Sequence, residues 1–296
     1  MDCGRPTCVL GGNLSNSLTA TPQRSFETNA ISDQDGEPPF ITDVLTTRNG
    51  RQLMLADLKN KAVKIVSLSD PHTVSSSVKM DEAPRRMARL SGGLVAVNTD
   101  SKLLHLLDVE AGHASCASPI KTLSTSRQYV GVVESPDDDT LLVGCWEDND
   151  GPARVDIIGP DGVVVRTVVD GNSLPGLEKP CQMSVVGGDV LVPDLGQDCV
   201  YRVQLSAGRL LETLTHPDLK KPTQVVSDEG RNLYVVSFEG QCVLGQSPRG
   251  EWRRVLHGPE HGAKENILPW AMCLINEAGV AVSWMTDYAS AFVVIS

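Results

Sequence analysis

The most constraining feature of this sequence is a hairpin-like pattern that occurs six times along the chain. In each occurrence a short apolar run precedes a tight-turn motif, and a second run of nearly alternating Leu and Val follows it. The six turn motifs are Asn49-Gly50, Gly92-Gly93, Asp137-Asp138-Asp139, Gly187-Gly188, Glu229-Gly230 and Ala278-Gly279. Two apolar runs joined by such a turn are typical of an antiparallel β-hairpin. The sequence therefore predicts an all-β chain built from six equivalent units.

Each unit continues beyond its hairpin. A third apolar run follows after a short polar loop, and several units add a fourth, as in residues 163–168 and 210–214. Four strands that recur about every 40–55 residues have the spacing of β-propeller blades. We therefore predict a single six-bladed β-propeller over residues 23–296. The expected blades are 41–83, 84–126, 127–179, 180–221, 222–268, and 269–296 completed by 24–31.

The residues at the start of each unit, and the incomplete sixth unit, add detail to the predicted propeller. Proline stands at the entry of five units, where a strand start needs no ladder donor. These prolines are Pro39, Pro84, Pro180, Pro222 and Pro269, with Ser126 at the third entry. The sixth unit has three apolar runs, which would leave an unpaired edge. We expect residues 24–31 to add the fourth strand and close the ring, and residues 1–22 to form a flexible leader.

Charge and composition disfavour several classes of function. The chain has 26 Lys and Arg residues against 37 Asp and Glu, a net charge of −11, and only 4% aromatic residues. Nucleic acid is therefore an improbable partner, because phosphate neutralisation and base stacking need the opposite composition. No basic segment leads into an apolar one near Met1, so we expect neither a secretory signal nor a membrane anchor, and a cytoplasmic location. The eight dispersed cysteines are expected to be buried free thiols.

The first unit contains a sequence motif that is typical of a known family of propeller blades. The segments Ile41–Val44 and Gly50–Lys64 resemble the NHL-type blade, with its Ala-Asp-x-x-Asn phrase followed by Val. Residues 222–226, 234–243 and 252–258 are similar to propellers at the C-terminal end of invertebrate tripartite-motif (TRIM) proteins. The resemblance covers about residues 24–296 and implies a propeller that recognises protein or RNA. The RING and B-box zinc modules of that family have no counterpart in this sequence, so the resemblance implies the substrate-reading part of a TRIM-NHL ubiquitin ligase.

Candidate site residues follow from blade geometry. In an antiparallel blade the first strand begins on the face where the second strand ends, so both sets of positions surround one mouth of the channel. The first set includes Arg86, Gln128, Gln182 and Gln224, and the second includes Asp57, Asn98, Asp194 and Ser237. Trp146 and Trp270 are expected at the same mouth. These side chains could bind a ligand, or they could bond to one another and to the backbone, with Asp57 and Asp194 capping turns.

The functional hypothesis is non-catalytic recognition of a protein or peptide at this mouth, with no cofactor, no metal and no catalytic residue assigned. The alternative is a calcium-dependent lactonase or esterase, in which Asp43, Asp57 and Asp194 would converge on the ion. RNA binding is a lesser alternative. The sequence does not identify the partner or the oligomeric state.

Overall fold

The computed structural model of the protein describes residues 24–27, 39–47, 50–68, 74–109, 119–135, 140–257, 268–275, 279–285 and 290–295. The strands in chain order are β1 (Arg24–Glu27), β2 (Ile41–Thr46), β3 (Gln52–Asp57), β4 (Ala62–Ser67), β5 (Val74–Lys79), β6 (Pro84–Arg89), β7 (Leu94–Thr99), β8 (Leu103–Asp108), β9 (Lys121–Ser124), β10 (Gly131–Glu134), β11 (Leu141–Cys145), β12 (Arg154–Ile158), β13 (Val164–Asp170), β14 (Ser184–Val186), β15 (Asp189–Asp194), β16 (Cys199–Gln204), β17 (Arg209–Leu214), β18 (Pro222–Ser227), β19 (Leu233–Ser237), β20 (Cys242–Gln246), β21 (Trp252–His257), β22 (Leu268–Ile275), β23 (Gly279–Met285) and β24 (Ser290–Ile295). A short 3-10 turn at Ser91–Gly93 joins β6 to β7.

Within these ranges the strands form six four-stranded antiparallel sheets. Blades 1 to 5 are β2–β5, β6–β9, β10–β13, β14–β17 and β18–β21, and blade 6 contains β22, β23, β24 and β1. The six-bladed, all-β prediction is confirmed. The turn between β6 and β7 also explains its glycine pair, because Gly92 and Gly93 have φ values of 75° and 83°, which side chains disfavour.

The core lies between blades. Each of six apolar clusters combines side chains from two neighbouring blades. Met54 and Val63 of blade 1 meet Met87 and Val95 of blade 2, for example. Because a central strand packs against a neighbour on each side, most of its residues are buried on both faces; β3 has five consecutive buried residues. Outer strands differ, since five of the six residues of β17 are exposed.

The N-terminal strand closes the ring. β1 pairs antiparallel with β24, from Arg24 opposite Val294 to Glu27 opposite Ala291. The cluster between blades 6 and 1, which includes Ile41 and Cys273, completes the circle of apolar contacts. The predicted closing strand is therefore confirmed over residues 24–27. Residues 28–31 and the predicted leader, residues 1–22, lie outside the described residues, as do the turn motifs Asp137-Asp138-Asp139 and Ala278.

Two inner strands begin later than the sequence indicated. In blade 3 the first strand starts at Gly131, beyond Gln128, and in blade 4 it starts at Ser184, beyond Gln182. The backbone of Gln182 pairs instead with the inner strand of blade 5. Its N–H donates to Thr223 O at 3.2 Å, and its carbonyl accepts from Val225 N at 3.2 Å. At this position the backbone of blade 4 is therefore hydrogen-bonded to blade 5 and not to the second strand of its own hairpin.

Two further features concern the cysteines and the length of apolar segments. Five cysteines, Cys145, Cys181, Cys199, Cys242 and Cys273, are buried free thiols, as predicted. Among the described residues there is no apolar helix of membrane-spanning length.

Ring closure can be tested by two matched deletions. Removal of residues 1–27 takes away β1 and exposes the edge of β24, whereas removal of residues 1–22 retains β1. We expect the longer deletion to lower the melting temperature by at least about 5 °C and to promote association through the open edge. Thermal melts and light scattering on both variants provide the measurement, and equal melting temperatures would contradict the role of β1.

Candidate functional site

The two predicted sets of residues meet at one end of the channel, which we call the mouth. Strand register places Ile41 opposite Asp57, Arg86 opposite Asn98, and Pro222 opposite Ser237. In blade 4 an isolated bridge joins Pro180 to Asp194. The start of each first strand therefore lies beside the end of the second strand, as the blade geometry predicted.

Two second-strand carboxylates hold the chain as it enters their own blades. Asp57 accepts hydrogen bonds from the N–H groups of Phe40 (3.1 Å) and Asn60 (3.3 Å), and its other oxygen lies 2.6 Å from Lys64 Nζ. Asp194 accepts backbone hydrogen bonds at 2.7 to 3.2 Å, from Glu178, Lys179, Gly196 and Gln197. Burial raises the pKa of Asp194, while these four N–H groups lower it. Both carboxylates are occupied by internal partners.

Asn98 and Ser237 have the same role in their blades. Asn98 Oδ1 accepts from Arg86 N at 2.6 Å, and its amide nitrogen donates to Tyr129 O at 2.7 Å. Ser237 Oγ accepts from Lys220 N at 2.8 Å and donates to Asp218 O at 2.6 Å. Polar residues at the second-strand end therefore bind the incoming backbone, whichever residue type occupies the position.

Blade 3 uses a different residue, which the sequence analysis missed. Cys145 ends the second strand there. The connection is made from the other side, because the buried guanidinium of Arg127, in the segment that enters the blade, binds carbonyls of the loop after Cys145. It donates at 2.9 Å to the carbonyls of Trp146, Gly151 and Pro152, and it also pairs with Asp148. The available indication was its position beside Ser126, the one blade entry without proline.

Amide and carboxylate side chains in or just before the inner strands connect neighbouring blades. Gln182 Nε2 donates to Val132 O (2.7 Å) and its Oε1 accepts from Val132 N (3.0 Å), so its side chain pairs with blade 3 as a backbone would. Gln224 pairs with Met272 of blade 6 in the same way, at 2.7 Å for both bonds. Gln128, in contrast, is exposed, although like Gln182 it lies before the first strand of its blade.

A repeated dipeptide strengthens these connections. Asp43 Oδ2 accepts from Met87 N of blade 2 at 2.7 Å, and the preceding residue, Thr42, donates to Pro84 O at 3.0 Å. Thr223, which precedes Gln224, likewise donates to Trp270 O of blade 6 at 2.6 Å. The repetition of Thr before an Asp or Gln was the sequence indication of this role.

Arg86 crosses the channel. Its Nη2 donates to Thr223 O of blade 5 at 3.2 Å, its Nη1 lies 3.7 Å from Asp43 Oδ1 of blade 1, and its guanidinium stacks 5.5 Å from the ring centre of Trp270 in blade 6. The Arg86 and Asp43 side chains are 5% and 2% exposed. Burial raises the pKa of Asp43 to about 6, although the nearby guanidinium of Arg86 lowers it.

The partly exposed layer of the mouth is aromatic and cationic. Trp146 donates from Nε1 to Pro180 O at 3.2 Å, and Lys179 Nζ lies 5.6 Å from its ring centre. Phe238 meets Trp270 edge to face at 5.2 Å. We call Trp146, Lys179, Phe238 and Trp270 the rim. Lys179 and Phe238 were missed from sequence, although they directly precede Pro180 and follow Ser237.

The carboxylates considered as calcium ligands do not converge. Asp57 pairs with Lys64, Asp43 lies beside Arg86, and Asp194 is surrounded by backbone donors of its own blade. A cation would face the positive charges of Lys64 or Arg86. Within the described ranges, no three His, Cys, Asp or Glu side chains are grouped so that they could hold a metal ion. These three residues therefore do not fit a shared calcium site.

The fold is shared with solved structures of different proteins. The WD40 β-propeller domain of Doa1 aligns with a TM-score of 0.63 at 12% identity, covering 98% of this chain and 96% of that one. Luciferin-regenerating enzyme aligns with a TM-score of 0.64 at 14% identity, covering 90% and 93%. A chain of the nidogen/laminin complex aligns with a TM-score of 0.58 at 14% identity, covering 75% and 81%. No protein-family model and no curated protein sequence matches the chain. These likenesses establish the β-propeller fold.

The role of Arg86 can be tested against its neighbour. Arg86→Met leaves Asp43 buried without its counter-charge, so we expect the free energy of unfolding to fall by about 3 kcal/mol. Arg85→Met removes an exposed pair with Asp100 and should change it by less than about 1 kcal/mol. Urea unfolding of both variants measures the difference. If both substitutions changed the free energy of unfolding by a similar, small amount, Arg86 would not be a stabilising connection across the channel.

Asp43 should make stability depend on pH. Its pKa is about 6 in the folded protein against 3.8 as the ordinary value, so folding favours the protonated form. The resulting stabilisation is fully present below pH 3.8 and is lost as pH rises through 6. Asp43→Asn removes this ionisation while keeping an oxygen for Met87 N–H. The unfolding free energy of D43N minus that of the wild type should therefore increase between about pH 4 and pH 7. A constant difference across this range would contradict the assignment.

Proposed function

We propose that the protein is a recognition propeller that binds a peptide segment of a partner protein across the rim. The observation that carries this proposal is that the inner and outer residues of the mouth make different kinds of contact. The inner polar residues are used to hold blades together, whereas Trp146, Phe238 and Trp270 are partly exposed and Lys179 is exposed. Contacts outward from the channel are therefore made by the rim.

The chemistry of the rim suits a peptide. Tryptophan and phenylalanine provide apolar contact area at a small cost in side-chain entropy, and such aromatic residues are common binding hot spots. Lys179, stacked on Trp146, adds a charge that can pair with an acidic residue. Loops at one end of a rigid propeller are a favourable place for such contacts.

The resemblance to NHL blades supports the same role, as a substrate-reading propeller similar to those of TRIM-NHL ubiquitin ligases. One structural neighbour was solved as part of a complex of nidogen and laminin. The proposal includes a cytoplasmic location, which suits five unpaired cysteine thiols. RNA is a weaker candidate because the net charge is −11.

Among the functions considered, the calcium-dependent hydrolase remains the enzymatic alternative. Luciferin-regenerating enzyme has the same fold, but at 14% identity the likeness carries no activity to this chain. The engagement of Asp43, Asp57 and Asp194 in separate internal contacts favours recognition over this alternative.

Selection from a random peptide display library tests the proposal. We expect the wild-type protein to enrich peptides whose affinity falls at least about tenfold in the Trp146→Ala/Lys179→Ala variant. Leu210→Ala, on the exposed outer strand β17, is the matched control and should bind as the wild type does. Melting temperatures confirm that the variants are folded. Equal affinity of the wild type and the rim variant, or no enrichment, would refute binding at the rim.

A further inference from the structure

Three buried polar atoms at the mouth have no hydrogen-bond partner. They are Asp43 Oδ1, Arg86 Nη1 and Trp270 Nε1, three of nine such side-chain atoms in the described part of the chain. Buried polar atoms usually have partners, and leaving one without costs about 1–3 kcal/mol. A group of them in one place therefore indicates a site that something else can complete.

The three side chains are linked through Arg86, which contacts both of the others. Asp43 Oδ1 and Arg86 Nη1 lie 3.7 Å apart, which is an ion-pair distance and too long for a hydrogen bond. The same guanidinium lies over the indole of Trp270, 5.5 Å from the ring centre. The cluster thus presents two donors, from Arg86 and Trp270, and one acceptor, from Asp43, and its ion pair has no net charge.

We propose that this cluster recognises a carboxamide, the side chain of an Asn or Gln residue in the bound peptide. A carboxamide oxygen accepts two hydrogen bonds, and its NH₂ group donates two, so this one group offers an acceptor for the donors of Arg86 and Trp270 and a donor for Asp43. A carboxylate of the same shape has no hydrogen to donate, and its charge would face Asp43. This inference rests on the proposed function, because it assigns a specificity to the same mouth.

The group would enter from the side of Trp270. Trp270 is partly exposed, whereas Arg86, which lies over its ring, and Asp43 are buried. Entry on this side requires the indole to rotate away from the edge of Phe238 and from the guanidinium of Arg86. Binding must then offset the loss of these ring contacts, so we expect a single carboxamide to bind with an affinity on the order of millimolar.

Four tryptophans make the site observable by NMR, since each gives one indole ¹H–¹⁵N signal. Trp270→Phe assigns the Trp270 signal, and Trp252, on outer strand β21, is an internal reference. The probes are the capped tripeptides Gly-Gln-Gly, Gly-Glu-Gly and Gly-Met-Gly, which share a backbone and differ in one side chain. A pH near 7.5 keeps Asp43 ionised, because its pKa is about 6.

We expect the Gln peptide to shift the Trp270 signal at concentrations at least about fivefold lower than the Glu and Met peptides, a preference that Asp43→Asn reduces. Equal responses to the three peptides, or no response of Trp270 to the Gln peptide, would overturn the carboxamide assignment. A peptide selected by display serves as the reference ligand. If it shifts Trp146 or Trp270 while the Gln preference is absent, rim binding stands and the carboxamide inference fails. If it shifts neither signal, the proposed function fails.

Discussion

Packing of blade against blade is the constraint on which the rest of this structure depends. Each sheet is buried on two sides, and six apolar clusters are shared between neighbours around the ring. No blade in such a ring can bury its faces alone, so the circle must close before any blade is fully packed. The pairing of β1 with β24 performs this closure and gives blade 6 its fourth strand.

Polar contacts near the channel then set how neighbouring blades meet. Apolar packing is weakly directional, whereas the paired hydrogen bonds of Gln182 and Gln224 allow one relative position of two strands. Arg86 adds a connection between blades that lie far apart in sequence. The same contacts engage these inner side chains within the protein, and this is the basis of the proposal that a partner binds at the rim.

The propeller fold does not decide between recognition and catalysis, because both occur on this scaffold. The proposal of recognition therefore rests on individual side chains. Carboxylates that could have formed an ion site are paired with Lys64, Arg86 or backbone donors, while Trp146 and Trp270 are partly exposed and Lys179 is exposed. The unpartnered atoms of Asp43, Arg86 and Trp270 lie where the inner residues meet the rim, and the proposed carboxamide specificity rests on them.

The sequence by itself determined the blades. Turn residues and apolar runs act within about ten residues, so the hairpins, the number of units and the missing fourth strand of the sixth blade could all be predicted. It also located the mouth, because strand direction follows from hairpin connectivity. The partners of Gln182, Gln224, Asp43 and Arg86 could not be predicted, since their hydrogen bonds join residues 44 to 137 positions apart. Only the closed ring brings such residues together, and so only the tertiary structure decided that these side chains hold blades while Lys179 is exposed and Phe238 is partly exposed.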